Sequence, residues 1–79
     1  MKKKKYVELN SLKGKIREMS ESYRSLSVKT KISVNTLSNK LNGYSVFDIH
    51  EVSILATELN IEPKDIVKYF FPLMLRNVE

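Results

Sequence analysis

Asn35, Thr36, Ser38 and Asn39 are the side chains whose types and spacing suit chemistry with a partner. That chemistry is recognition rather than bond-making. They stand on the polar side of a segment whose apolar residues Val34, Leu37 and Leu41 recur at helical spacing. A helix that needs only solubility usually carries Glu and Lys there. Asn and Ser are poor helix formers, so their presence calls for another reason. An Asn side chain donates and accepts together, and it pairs bidentately with an adenine edge in the major groove. Lys40 adjoins them, and no Asp or Glu occurs from Ser22 to Val46, which leaves the stretch tolerant of phosphate. The competing reading is a polar face of exposed fillers.

Nothing comparable supports catalysis. No Gly-rich phosphate loop, no nucleophile beside a base and no catalytic carboxylate pair can be assembled, so an enzyme is not expected. There is no cysteine, hence no disulfide scaffold and no thiolate metal site. The single His50 cannot build a zinc site alone, and it is expected as an exposed residue near the start of a helix. Met19 and Met74 read as apolar filler. No cofactor and no small-molecule substrate are called for.

The 79 residues make one domain, 42% apolar and 29% charged, as in an ordinary globular protein. Two Gly and two Pro are too few for an all-β fold. No apolar run approaches the roughly 20 residues of a membrane span. Lys2–Lys5 lead into Tyr6-Val7-Glu8-Leu9-Asn10, which is no secretory apolar region, so a cytoplasmic location is expected. The net charge of +5 is unevenly placed. Lys13 to Lys40 holds seven basic and two acidic residues, whereas Leu41 to Glu79 holds three basic and six acidic. Such asymmetry suits a domain that meets a polyanion with one face.

The elements that must position these side chains are helices. Leu9, Leu12, Ile16 and Met19 define a first helix over residues 11–20, with Asn10 or Ser11 as its cap. Ser22 opens a short second helix over 23–29, and Ser33 opens a third over 34–41, stopped by Asn42-Gly43. Asp48 and Glu51 form a capping-box variant ahead of a fourth helix over 49–59. Pro63 starts a fifth that carries Ile66, Val67, Phe70 and Phe71 up to Pro72. The expected core is Leu12, Ile16, Leu26, Ile32, Leu37, Leu41, Val52, Leu55, Ala56, Leu59, Ile66 and Phe70. The fold class is therefore all-α, a compact five-helix domain over residues 9–71. A basic arm (1–8) precedes it and an apolar tail (72–79) follows. The three to four residues between the second and third helices force a steep crossing.

Ile16-Arg-Glu-Met-Ser-Glu-Ser22, Leu26-Ser27 and Ile32-Ser33-Val-Asn-Thr-Leu-Ser-Asn-Lys-Leu-Asn-Gly43 resemble the phage repressor and Cro type of helix-turn-helix domain. The likeness continues through Leu59-Asn-Ile-Glu-Pro-Lys-Asp-Ile66 and covers about residues 9–70. It implies a lambda-repressor-like fold, a phage or prophage origin in a Gram-positive host, and double-stranded DNA as partner. Position by position, it implies that Ser33 to Thr36 open the recognition helix and that Val34, Asn35 and Asn39 read bases. Thr36 and Ser38 join that set as polar neighbours on the same helix. Tyr23, Asn42, Tyr44 and Ser45 match phosphate contacts. The family often has Gly where this chain has Ser20 and Lys31. A non-Gly residue in a left-handed turn costs on the order of 1–2 kcal/mol, so the turn into the third helix is expected to differ in detail. Thr30 replaces a usual aliphatic residue.

The resulting expectation is a sequence-specific transcriptional regulator, Cro-like and nucleoid-associated in a bacterial cell. It inserts its third helix into the major groove of an operator and blocks polymerase there. Among Lys13, Lys15, Arg24, Lys29 and Lys40, a subset contacts phosphate and the rest are solvated; Arg24, Ser33 and Lys40 complete the phosphate-binding set. Lys2–Lys5 either follow the DNA or form a solvated terminus. Phe71, Leu73, Met74 and Leu75 offer more apolar surface than a short last helix needs, which suggests a homodimer contact; the competing reading is a tail that packs back on its own monomer. The alternative function is a helical protein-interaction module, an antirepressor or antitoxin-type partner. RNA binding is weaker, because most aromatics cluster in the acidic half.

Overall fold

The computed structural model describes residues 5–72. Among them the chain forms α1 (Asn10–Glu18), α2 (Tyr23–Thr30), α3 (Val34–Leu41), α4 (Ile49–Glu58), a 3-10 turn (Pro63–Asp65) and α5 (Ile66–Phe70), with no strand. The helices pack around one core. α2 lies against both α3 and α4, and α1 against α3 and α5. Leu12, Leu26, Leu37, Leu41, Leu55 and Leu59 are fully enclosed.

Helix starts follow their caps. Ser22 and Ser25 exchange hydrogen bonds at the head of α2, the Ser25 amide donating to Ser22 Oγ (3.0 Å) and the Ser22 amide to Ser25 Oγ (2.8 Å). Asp48 and Glu51 do the same for α4. α1 departs from expectation. Neither Asn10 nor Ser11 caps it; Leu9 stands at the cap with no side-chain hydrogen bond. The Leu9 side chain is in the core and its amide donates to the Leu41 carbonyl (2.9 Å), which fixes the start one residue early.

Helix ends share one device. Ser20, Lys31, Gly43 and Asn60 all take positive φ (58°, 64°, 91° and 55°). After three of them the next amide reaches back five residues: Glu21 to the Ile16 carbonyl, Tyr44 to Asn39 and Ile61 to Ala56, each at 2.9–3.0 Å. This closure satisfies carbonyls that the last turn leaves open. It ends α1 at Glu18 rather than at residue 20. It also corrects the expectation for the turn after α2: Lys31 adopts the left-handed conformation that Gly usually supplies. Only Gly43 is obligatory on space as well, since a Cβ there would lie 2.5 Å from the Tyr6 carbonyl oxygen. The Lys5 and Tyr6 amides both donate to the Gly43 carbonyl (3.0 Å), so the segment before α1 runs along the loop after α3.

Three core residues lie outside the expected set. Leu9, Phe47 and Ile61 are buried, whereas Ala56 and Ile66 are only partly buried at its edge. Phe47 meets Phe70 edge to face, with ring centroids 5.8 Å apart, and so ties the loop after α3 to α5.

Candidate nucleic-acid interface

α3 is placed by its own inward face. Leu37 and Leu41, four residues apart, are both fully buried. Asn35 and Asn39 share the same four-residue step on the opposite side. Asn35 is exposed and Asn39 half-buried. Neither side chain is hydrogen-bonded to another described residue, so both keep their full donor and acceptor capacity. Val34, in the first turn, is 42% exposed.

The start of α3 is arranged by Ser33. Its Oγ accepts from the Thr36 amide (3.1 Å) and donates to Thr36 Oγ1 (2.9 Å). The earlier amides of the first turn remain open to a partner, and no acidic residue stands in that turn. The recess at this helix start is also lined by Asp48, His50 and Glu51 from the head of α4, so carboxylates of the neighbouring helix stand beside it. Thr30 explains how a polar residue fits the buried end of α2. Its Oγ1 donates to the Leu26 carbonyl (2.7 Å) and accepts from the Ile32 amide (3.3 Å), so the hydroxyl braces the turn into α3.

The expected phosphate-binding residues fall into two groups. Arg24 and Ser33 are exposed, and Arg24 has no ion-pair partner among the described residues. Lys40, Asn42 and Tyr23 are engaged. Lys40 Nζ lies 2.5 Å from Glu51 Oε1, with both side chains mostly covered, and 5.9 Å from the centre of the Phe47 ring. Asn42 Oδ1 accepts from Lys13 Nζ (2.6 Å), while its Nδ2 donates to Ser38 Oγ (3.3 Å). Tyr23 packs against the core edge. Tyr44 and Ser45 are half-buried.

Ion pairing also sorts the lysines. Lys13 pairs with Glu8 (3.0 Å), Lys15 with Glu18 (3.6 Å) and Lys29 with Glu21 (2.5 Å). Hydrogen bonds from Lys29 and Ser25 hold the Glu21 carboxyl below its ordinary pKa, and the same contact with Glu21 raises Lys29. Arg17, Arg24 and Lys31 are exposed cations without a partner among the described residues. Arg17 shares a shallow recess with Lys13, Ser22 and Tyr23 at the head of α2. Arg17 and Lys31 were missed as candidates. Lys31 has no carboxylate three or four residues away in sequence, whereas Arg17 has Glu21 four residues on, which the fold commits to Lys29 instead. His50 is exposed, as expected, and no group of metal-ligating side chains occurs among the described residues. Phe71 is half-buried against the core, whereas Leu73, Met74 and Leu75, like Lys2–Lys4, lie outside the described residues. No described helix is long and apolar enough to cross a membrane.

Together these features define a small all-helical domain whose third helix turns two asparagines without side-chain partners away from the core. Residues 6–72 match the family described as "Protein of unknown function (DUF739)", and the chain belongs to that family. No match was found among curated proteins.

Proposed function

We propose that this protein is a sequence-specific double-stranded DNA-binding regulator that reads base edges with α3 and acts by occupying an operator. The observation that carries the reading is the pair Asn35 and Asn39. Both point away from the core, both are unengaged, and they extend from a Ser33-capped helix start. Asn is the side chain that pairs with adenine on two hydrogen bonds. Lys31 supplies unpaired charge beside the start of α3, Arg24 stands exposed on α2, and the two helices carry no carboxylate of their own. The phage repressor and Cro resemblance points the same way, and with it comes binding as a pair of copies to half-sites about one helical turn apart.

Selection of bound duplexes from a random pool at near-physiological salt tests this. An enriched inverted repeat is expected. A single enriched half-site keeps the DNA reading and argues for a monomer. Salt-sensitive retention of all sequences without enrichment overturns it in favour of a protein partner.

A further inference from the structure

Two cations in the basic half of the sequence turn inward rather than to solvent. Lys40 Nζ, in the last turn of α3, meets Glu51 Oε1 at 2.5 Å, and the same oxygen accepts from the Asp48 amide at 2.9 Å. Lys13 Nζ, on α1, meets Glu8 at 3.0 Å and Asn42 Oδ1 at 2.6 Å, while Asn42 Nδ2 donates to Ser38 Oγ at 3.3 Å. The Lys40, Glu51 and Lys13 side chains are only 18%, 15% and 21% accessible. To meet a phosphate, either ammonium would first have to leave its present carboxylate.

These contacts grip α3 on both flanks of one reader. Helix geometry puts Ser38 and Lys40 roughly 100° to either side of Asn39. Ser38 is tied through Asn42 and Lys13 to α1, and Lys40 is tied through Glu51 to the head of α4. Asn39, and Asn35 one turn earlier, thus stand between two opposed ties. Among the described residues α3 rests on α1 and α2 and not on α4, so Lys40–Glu51 bridges two helices whose backbones do not pack together. Roll about the helix axis is the freedom such ties control. Burial of Leu37 and Leu41 decides which face of α3 points inward, but apolar contact is non-directional. At the ~5–6 Å radius of a helix with its side chains, a roll of about 10° moves an outward tip by about 1 Å. A hydrogen bond keeps good geometry over only about 0.5 Å. A small roll therefore breaks a bidentate pair while leaving the core intact.

We infer that Lys13 and Lys40 are positioning residues: their ties, through Asn42–Ser38 and through Glu51, set the roll of α3 and with it the aim of Asn35 and Asn39. What those asparagines meet rests on the DNA reading above; the roll itself belongs to the free protein. Lys13, Lys40 and Asn42 act behind the reading face instead of on it.

In the full-length chain, N–H residual dipolar couplings along α3 vary with the helical period, and the phase of that variation reports its roll against α1 and α2. Lys40→Met keeps the stem beside Phe47 and removes the charge; Lys13→Met removes the charge on α1. Lys40→Met with Glu51→Gln removes both charges, keeps an acceptor for the Asp48 amide and carries the test if the single variant does not fold. Each should shift the α3 phase by about 10° or more, whereas Lys40→Arg, which still pairs with Glu51, should not. Preference for a duplex selected by the parent protein over a single-base variant of it should fall about tenfold. The salt slope should stay unchanged, and Lys40→Arg should restore the preference. An unmoved phase in the charge-removing variants overturns the inference, whatever the protein binds. A moved phase with parental preference overturns it too. So does a lower salt slope with preference intact, which would make these lysines phosphate contacts. If the parent selects no duplex, the DNA reading falls and the phase alone decides.

Discussion

α3 and α4 are neighbours in sequence and built alike, yet they present opposite chemistry to solvent. Each starts on a side-chain cap, Ser33 for α3 and Asp48 for α4. Each buries two residues: Leu37 and Leu41 in one, Val52 and Leu55 in the other. The caps themselves differ in charge. Asp48 caps α4 with a carboxylate and Glu51 stands in its first turn, where Lys40 of α3 pairs with it. Ser33, the cap of α3, is neutral. The outward faces differ as well. α3 offers Asn35 and Asn39 without partners; α4 offers His50, Ser53 and Thr57, the last donating back to the Ser53 carbonyl (3.0 Å). Similar helices thus carry different outward side chains: two unpartnered asparagines on α3, and His50, Ser53 and Thr57 on α4. Local side-chain choice, not helix geometry, makes the difference.

The sharpest way to break this contrast is to remove the readers. Asn35→Ala and Asn39→Ala should each weaken binding to the selected duplex by roughly 1–3 kcal/mol and relax preference at one base pair. Thermal unfolding should barely change, because neither side chain is bonded within the fold. Ser53→Ala on α4 should leave affinity untouched. If Ser53→Ala matters as much as Asn39→Ala, the two helices have been wrongly distinguished.

Charge at the helix starts is the next lever. Asp caps a helix about as well as Ser, so Ser33→Asp should keep α3 folded. It adds a negative charge where phosphate or base edges would approach, and a loss of about tenfold in affinity is expected, since fixed charges near a helix end act at the 1 kcal/mol scale. Asp48→Ser, the reverse exchange on α4, should cost at most a little stability and no affinity. Equal loss from both would mean that helix-start charge acts only through folding.

Salt dependence then sorts the cations. Arg24→Gln and Lys31→Gln should each lower the slope of log affinity against log salt by about 1 if they contact phosphate. Lys29→Gln and Lys40→Gln should leave the slope unchanged, because Glu21 and Glu51 already hold those ammonium groups. The smallest effect is on stability. Ser20 has φ 58°, so Ser20→Gly should raise unfolding free energy by about 1 kcal/mol, read by denaturant titration.

Much of this was legible in the sequence. The bounds of α3 coincide with those read from Val34, Leu37, Leu41 and the Ser33 cap, because amphipathic spacing and capping are local properties. The outward pair on α3 follows from the same periodicity. Phe47 and Ile61 are core residues that sit in connections, where no period marks burial, whereas Leu9 shares the period of Leu12 and Ile16 but lies ahead of the expected helix. The pairing of Lys13 with Asn42 and of Lys40 with Glu51 was invisible for another reason. The partners are 29 and 11 residues apart, and only the folded packing of α1 on α3, and of the α4 start near α3, brings them together. Lys31 shows a limit of propensity reasoning. Its left-handed turn survives without Gly because Ser33 and Thr30 secure both sides of it.

The most direct test of the central claim is a nitrogen-edited NMR titration of the intact chain with the selected duplex. The largest shifts are expected on the amides of Ser33 to Asn39 and on the side-chain amides of Asn35 and Asn39, with α4 nearly silent. Shifts centred on α4 or on the Phe47–Phe70 contact, with the two asparagine side chains unmoved, would contradict the claim.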